Sequence, residues 1–229
     1  MRDNCRALLL DFDGVLRHFP AERLIEVEAA HDLPPGMLAE IAFHHSLGYP
    51  LVEGKISHAE WQELTADALA PRAWPPHDLR APLPEGEQEA ARTDGRLERA
   101  RAAVADWQAH HGTVDPVILD FVREVRAAGI PVALCSNATD RLDADLAELG
   151  VAGEFDVVIN SSVIGLRKPD KAYYLEAAAK LGVPAKLCLL VDDSHTNVQG
   201  ARVSGTAAYR YTGHKDLAYI RKALGLPAR

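Results

Sequence analysis

Residues 7–13 read Ala-Leu-Leu-Leu-Asp-Phe-Asp, and residues 187–193 read Leu-Cys-Leu-Leu-Val-Asp-Asp. Each stretch is a short apolar run that ends in carboxylates. Runs that are apolar at every position are typical of strands covered on both faces, as in the parallel sheet of an α/β protein. Ligands of such sheets bind beyond the carboxyl ends of the strands. The two stretches therefore predict one acidic site built from two strand ends.

The predicted site needs a positive partner. If the two strands are neighbours, four carboxylates converge, and raised pKa values relieve only part of their repulsion. A hard cation that prefers oxygen ligands is the natural partner, and Mg²⁺ is the cation that we predict. The carboxylates are those of Asp11, Asp13, Asp192 and Asp193.

Composition favours a compact enzyme. With 229 residues, 48% of them hydrophobic and 25% charged, the chain can bury a sizeable core as one large domain or as a domain with an insertion. Its formal charge of -8 argues against nonspecific binding to nucleic acid or to an anionic membrane, because either would need a basic face. We therefore expect a small ligand.

The predicted location of the protein depends on three sequence features, namely its apolar stretches, its first residues and its cysteines. No apolar stretch approaches the roughly 18 residues of a membrane span, and the apolar run near the start is too short for a signal peptide. The three cysteines, Cys5, Cys135 and Cys188, lack metal-ligand spacing, and we interpret them as reduced and structural. We predict a cytoplasmic protein.

Helical and strand patterns alternate from Val114 onward, which predicts right-handed crossovers and a doubly wound parallel sheet of the Rossmann-like type. Glycines 129, 150 and 182 end three of the helical patterns. The predicted helices are 115–128, 139–149, 173–181 and 196–203. The predicted strands of this part are 130–135, 155–159, 187–191 and 206–211.

The segment 17–113 interrupts this alternation, because it has helical patterns and no convincing buried strand. We predict an inserted all-helical domain here, with an α/β core formed by residues 1–16 and 114–229. Residues 71–95 are rich in proline and glycine and predict a long irregular loop. The predicted helices of the insertion are 21–30, 35–45, 57–69, with Ser57 and Glu60 in a capping box, and 96–110.

Four motifs occur in order in the α/β part. They are Asp11-Phe12-Asp13-Gly14-Val15, Ser136-Asn137, Lys168-Pro169 and Asp192-Asp193. Together they resemble the motifs of the haloacid dehalogenase superfamily, whose members are mostly Mg²⁺-dependent phosphatases. The resemblance covers the core, and the helical insertion after the first motif resembles that family's cap domain.

The resemblance implies a role for each aspartate of the first motif. Asp11 would attack phosphorus and form an aspartyl-phosphate, which splits one hard hydrolysis into two easier displacements. Asp13 would protonate the leaving oxygen and then deprotonate the attacking water. Alone, Asp-x-Asp after an apolar run is equally typical of a helix N-cap or a loop, so the order of the four motifs carries this interpretation.

The second and third motifs would bind and stabilise the phosphoryl group. Ser136 and Asn137 follow a predicted strand and would meet phosphate oxygens, although both residue types are also favoured at helix N-caps. Lys168 would place an ammonium near the charge that spreads over the equatorial oxygens during transfer, whereas an isolated lysine is normally just solvated.

The fourth motif would hold the metal. The resemblance makes Asp193 the more direct Mg²⁺ ligand, beside Asp11 and the backbone carbonyl of Asp13, and Asp192 would bind directly or through water. Some relatives have another acidic residue four positions later, where this chain has Asn197. The remaining ligands would be phosphate oxygen and water.

The sequence thus predicts a Mg²⁺-dependent phosphohydrolase that acts on a small phosphorylated metabolite. Dehalogenating relatives typically lack the second aspartate, so Asp13 disfavours that chemistry. A phosphotransferase or mutase of the β-phosphoglucomutase type and a non-catalytic binding module on the same fold are further alternatives. Arg17 and His18 either touch the leaving group or face solvent. Substrate identity and oligomeric state have no readable motif.

Overall fold

The computed structural model describes residues 4–227. Its strands are β1 (Ala7–Leu10), β2 (Arg17–His18), β3 (Thr113–Val114), β4 (Val132–Ser136), β5 (Val157–Asn160), β6 (Cys188–Asp192) and β7 (Ala207–Arg210). Its helices are α1 (Ala21–Ala30), α2 (Met37–Ala42), α3 (His45–Val52), α4 (His58–Ala73), α5 (Glu87–Thr93), α6 (Arg96–Gln108), α7 (Pro116–Ala127), α8 (Leu142–Glu148), α9 (Ser161–Ile164), α10 (Lys171–Leu181), α11 (His195–Val203) and α12 (Leu217–Ala223).

The main sheet has five parallel strands in the order β5-β4-β1-β6-β7. The chain runs outward from β1 through β4 to β5 and then returns to the other side of β1 to form β6 and β7. This reversal of strand order makes the sheet doubly wound, so the predicted fold class is confirmed. In such sheets the ligand crevice lies beyond the carboxyl ends of the strands where the order reverses, here β1 and β6.

The central strand β1 is buried on both faces, which explains why every residue in it is apolar. Leu8 and Leu10 belong to one hydrophobic cluster, and Ala7 and Leu9 belong to another. Successive side chains of a strand point to opposite faces of the sheet. The first cluster includes Phe121 and other residues of α7, and the second includes residues of α10, so each face of the sheet is covered by its own helices.

The chain divides into two compact units. The α/β unit comprises, within the described residues, 4–18, 52–54 and 112–227, and the helical unit comprises 19–51 and 55–111. The helical unit has its own core, which includes Val27, Leu38 and Leu69. No helix among the described residues is long and apolar enough to cross a membrane.

The sequence prediction for residues 71–95 is wrong in part. Helix α4 continues through Pro71 to Ala73, and α5 forms at Glu87–Thr93. Pro71 has no N–H to give to the carbonyl of Asp67 one turn earlier. The side-chain amide of Gln88 donates to that carbonyl at 3.0 Å instead. A contact from α5 therefore replaces the helix bond that the proline removes.

Helix α4 begins as predicted, with Ser57 as its N-cap and Glu60 completing a capping box. The predicted helix 35–45 is wrong at its C-terminal end. The structure has α2, which ends at Ala42, and then α3. The apolar periodicity of the sequence did not reveal this break.

Candidate active site

The loop after β1 presents two aspartates and closes on itself. The carbonyl of Phe12 accepts from the backbone N–H groups of Leu16 and Arg17, at 2.8 and 2.7 Å, and the Gly14 N–H donates to the Arg17 carbonyl at 2.9 Å. Gly14 has a φ of 82°, and a Cβ there would lie 2.3 Å from Asp193 Oδ2. The positive φ favours glycine here, and the absence of a side chain leaves room for the Asp193 carboxylate at the end of β6.

Lys168 joins the ends of three strands. Its Nζ lies 2.7 Å from Asp11 Oδ1, donates to Asp192 Oδ2 at 2.8 Å and donates to the Cys135 carbonyl at 2.9 Å. An ammonium has three donors, so these three acceptors satisfy it. Lys168 is only 2% exposed, whereas a solvated lysine would be largely exposed. The structure therefore brings Lys168 together with the aspartates of the first and fourth motifs.

Asn137 contacts the backbone of Lys168. Its side-chain amide donates to the Lys168 carbonyl at 2.9 Å, and its side-chain oxygen accepts from the Lys168 N–H at 2.8 Å. This reciprocal pair fixes the backbone from which the ammonium extends. Ser136, at the end of β4, is 2% exposed and precedes Asn137 at the same edge of the sheet.

Asp192 is fully buried and has donors on both oxygens. Oδ1 accepts from the Ser194 N–H at 2.9 Å, and the Asn197 side-chain amide lies 3.0 Å from Oδ1 and 3.1 Å from Oδ2. With Lys168 also on Oδ2, little of this carboxylate is left for a metal. Asn197, at the position where some relatives have an acidic residue, donates to Asp192 through its side-chain N–H groups.

Burial and mutual repulsion perturb the charges of the site. Burial raises the pKa of Asp11 well above its usual range, and Asp192 raises it further while Lys168 opposes the shift. Burial also raises the pKa of Asp193, again with a contribution from Asp192. For Lys168, burial lowers the pKa, but the charges of Asp11 and Asp192 outweigh it, so the net shift is upward and the ammonium stays protonated.

A divalent cation fits this cluster. Asp11, Asp192 and Asp193 each offer a carboxylate oxygen, and these atoms all lie within 4.8 Å of one another. The only donors in this set are oxygens, which hard cations prefer. With all three carboxylates ionised, one ammonium leaves the cluster net negative, which favours a cation. The residues therefore match the requirements of Mg²⁺.

Asp13 has a different partner. Its carboxylate pairs with Arg17, which is 7% exposed, so the interpretation of Arg17 as a solvent-facing residue is wrong. The spacing of four residues between an aspartate and an arginine is a weak signal, because it brings side chains together reliably only in a helix. The loop after β1 achieves the same contact by folding back on itself.

The chain is similar to a protein family and to individual enzymes. A family model described as haloacid dehalogenase-like hydrolase matches residues 5–205. The chain is 28% identical over 222 residues to a phosphoserine phosphatase of Thermus thermophilus, a match that covers 89% of this chain and 87% of that one. A phosphoglycolate phosphatase of Chromobacterium violaceum is 31% identical over 113 residues, about half the length of each protein.

A solved structure shows the same fold. It is a family enzyme of Bacteroides thetaiotaomicron in complex with magnesium and inorganic phosphate. The TM-score is 0.67 at 18% identity, and the match covers 94% of this chain and 98% of that one. At this identity the likeness concerns the fold alone.

Proposed function

Because this chain belongs to the haloacid dehalogenase-like hydrolases, we propose that it is a Mg²⁺-dependent phosphatase that hydrolyses a small phosphorylated metabolite through a phosphorylated Asp11. The observation that carries this proposal is the contact of the buried Lys168 ammonium with Asp11 and Asp192, beside Asp193. The predicted enzyme class, a hydrolase of the phosphatase type, agrees with the family and with the phosphatases among its relatives.

The first chemical step uses Asp11 and Asp13. Asp11 Oδ1 is held by Lys168 and by the Phe12 N–H, each at 2.7 Å, so Oδ2 is the oxygen that we assign to the attack. A bond forms between Oδ2 and phosphorus while the bond from phosphorus to the leaving oxygen breaks. Asp13 gives a proton to that leaving oxygen, and the dephosphorylated part of the substrate departs as an alcohol while the phosphoryl group stays on Asp11.

The second step regenerates the enzyme. Water attacks the phosphorus of the aspartyl-phosphate, and Asp13, now a carboxylate, takes its proton. The bond to Asp11 breaks and inorganic phosphate leaves. Lys168 lies against the carboxylate that is phosphorylated, so its charge also faces the oxygens over which negative charge spreads in both steps.

Ser136 and Asn137 divide the binding role that the sequence assigned to both. We propose that the Ser136 hydroxyl and nearby backbone N–H groups donate to phosphate oxygens. Asn137 contributes through Lys168, because both polar ends of its side chain bind the Lys168 backbone.

The metal site that we propose is formed by Asp11, Asp193 and the backbone carbonyl of Asp13. Asp192 holds Lys168 and Asn197 and reaches the metal through water, because its oxygens already accept several hydrogen bonds. When bound, Mg²⁺ offsets the negative charge of the phosphate and the carboxylates. We further propose that the helical unit is the cap domain of the family and that it selects the substrate.

The test is phosphate release from a panel of phosphorylated metabolites, phosphoglycolate and phosphoserine included, with Mg²⁺ or with EDTA. We expect EDTA to stop phosphate release by the wild type. We expect the Asp11→Asn variant to release no phosphate in either condition. Asp120→Asn, a change of an exposed aspartate on α7, is the matched control and should keep its rate. Release that survives EDTA or Asp11→Asn would contradict the proposal. Halide release from 2-haloacids without phosphate release would favour dehalogenation.

A further inference from the structure

The guanidinium of Arg17 donates hydrogen bonds to both carboxylate oxygens of Asp13. Nε donates to Oδ1 at 2.6 Å and Nη2 donates to Oδ2 at 3.1 Å. Two parallel donors on one carboxylate fix its plane as well as its position. The Asp13 side chain is 46% exposed. A carboxylate that is exposed to this extent and lacks these two hydrogen bonds would sample several rotamers.

The guanidinium is itself held from other sides. Nη1 donates to Asp145 Oδ2, on α8, at 3.0 Å. The centre of the buried Phe12 ring lies 4.3 Å from the guanidinium carbon, within the range of a cation–π contact. The backbone of Arg17 closes the loop after β1 through its bonds to Phe12 and Gly14. These contacts hold the Arg17 guanidinium in place, and the hydrogen bond to Asp145 connects it to α8 of the α/β unit.

We propose that Arg17 is a positioning residue that orients Asp13 for proton transfer to the leaving oxygen. This inference rests on the function proposed above. Three other charged groups of the site, Asp11, Lys168 and Asp192, are buried, and Lys168 pairs with both carboxylates at short distance. Asp13 lies outside that network, so its orientation depends on Arg17.

Two other roles for Arg17 fit the structure less well. An ordinary surface ion pair joins two exposed side chains and contributes little to stability. The Arg17 side chain is only 9% exposed, and two of its nitrogens donate to the two carboxylate oxygens of Asp13. A substrate-binding arginine would have donors directed at the ligand. Here Nε, Nη1 and Nη2 each donate to a carboxylate of the protein.

The test exploits leaving groups that differ in their need for a proton. A dinitrophenolate leaves without protonation, whereas an alkoxide requires it, so only reactions with poor leaving groups depend on a well-placed Asp13. We would measure kcat/KM for aryl and alkyl phosphates in wild type, Arg17→Met, Arg17→Lys and Asp13→Asn. The readout is the slope of log kcat/KM against leaving-group pKa, which a general loss of folded protein would not change.

We expect Arg17→Met to lower kcat/KM for an alkyl phosphate by about 10- to 100-fold, part of the roughly 10²- to 10⁴-fold effect of a general acid, and to change it little for dinitrophenyl phosphate. The slope should move toward that of Asp13→Asn. Arg17→Lys keeps the positive charge but loses the two parallel donors, so its slope should lie between those of wild type and Arg17→Met.

The matched control is Arg141→Met. Arg141 lies 3.3 Å from the other oxygen of Asp145 and is not bonded to Asp13, so its loss should leave the slope unchanged. If Arg17→Met does not fold, Asp145→Asn weakens the anchor of Arg17 without touching Asp13 and should change the slope in the same direction.

Any of the following results would overturn the inference. An equal loss with all leaving groups would assign Arg17 to folding or substrate binding. A gain with alkyl phosphates would mean that Arg17 restrains Asp13 rather than orienting it for the reaction. A wild type that hydrolyses none of the compounds would remove the proposed phosphatase function, and this inference with it. Activity in the wild type with an unchanged slope in the Arg17 variants would overturn this inference alone.

Discussion

Replacing Lys168 with methionine removes the ammonium that joins Asp11, Asp192 and the Cys135 carbonyl. Methionine has a side chain of similar length, so the change removes charge and donors more than it removes volume. Two carboxylates that are 8% and 0% exposed at their side chains then face each other without a cation. We therefore expect a large loss of stability as well as a loss of activity.

The size of that loss follows from the burial of the three groups. Removing one partner of a buried ion pair costs about 3–5 kcal/mol, because it leaves a charge that is neither solvated nor paired. Uptake of a proton by one carboxylate limits the cost. In a protein of this size about 1 kcal/mol shifts the thermal midpoint by roughly 2–4 °C, so the expected shift is about 6–20 °C.

The assay is urea and thermal unfolding in EDTA, so that no divalent cation can replace the ammonium. Lys180→Met is the control, since the Lys180 side chain is 43% exposed and pairs with Glu176 on the surface of α10. It should change stability by less than about 0.5 kcal/mol.

The double variant Lys168→Met with Asp192→Asn supplies a second check, because it removes the ammonium and one of the two carboxylates. We expect it to be more stable than Lys168→Met alone. A Lys168→Met variant within about 1 kcal/mol of wild type, or a double variant no more stable than the single one, would refute the account of a charge cluster balanced by Lys168.

Three further predictions concern the loop after β1, the metal and acid stability. Gly14→Ala should destabilise more than Gly86→Ala although both glycines have a φ of 82°, because only the first Cβ would lie 2.3 Å from Asp193 Oδ2; equal thermal midpoints would contradict this. Mg²⁺ should raise the midpoint of wild type and raise that of Asp193→Asn much less, and equal shifts would remove Asp193 from the ligand set. Burial alone would raise the pKa of Asp115, but hydrogen bonds from His214 and two backbone amides leave it lowered. Its stabilisation is present above the unfolded pKa of about 3.9 and is lost as pH falls through the lower folded value, so unfolding below about pH 4 should show a weaker pH dependence in Asp115→Asn.

The fold could be predicted because its central strand, β1, is apolar at every position and the neighbouring strands are apolar except at their last residue. Leu8 and Leu9 pack on opposite faces of β1, and each needs an apolar neighbour on its own side of the sheet. A strand with that pattern is typical of a sheet covered on both faces. The carboxylates that follow β1 and β6 then meet at one edge, because these strands are parallel neighbours.

The contacts that the sequence did not reveal depend on how loops and helix ends fold. Arg17 reaches Asp13 because the loop after β1 turns back on itself. Asn197 reaches Asp192 because Ser194 is the N-cap of α11, and its hydroxyl accepts from the Asn197 N–H at 3.4 Å. Serine is a strong N-cap residue, so its position was a signal that could have placed the start of this helix.

Helix α5 was missed for a related reason. The prolines and glycines of residues 71–95 indicate breaks, but they do not indicate that a distant side chain supplies a missing bond. Gln88 does so for the carbonyl of Asp67, and Arg92 pairs with the carboxylate of the same residue at 2.9 Å. Tertiary contacts of this kind override local propensity.

The central claim is that Asp11 carries the phosphoryl group during turnover. The most direct measurement is to mix the enzyme with Mg²⁺ and a hydrolysed substrate, quench with acid within one turnover, and locate the phosphorylated residue by mass spectrometry of its peptides. The account predicts a phosphoryl group on Asp11 that is absent in Asp11→Asn. Phosphate release by the wild type with no phosphoryl group on Asp11, or with a phosphoryl group on another residue, would contradict it.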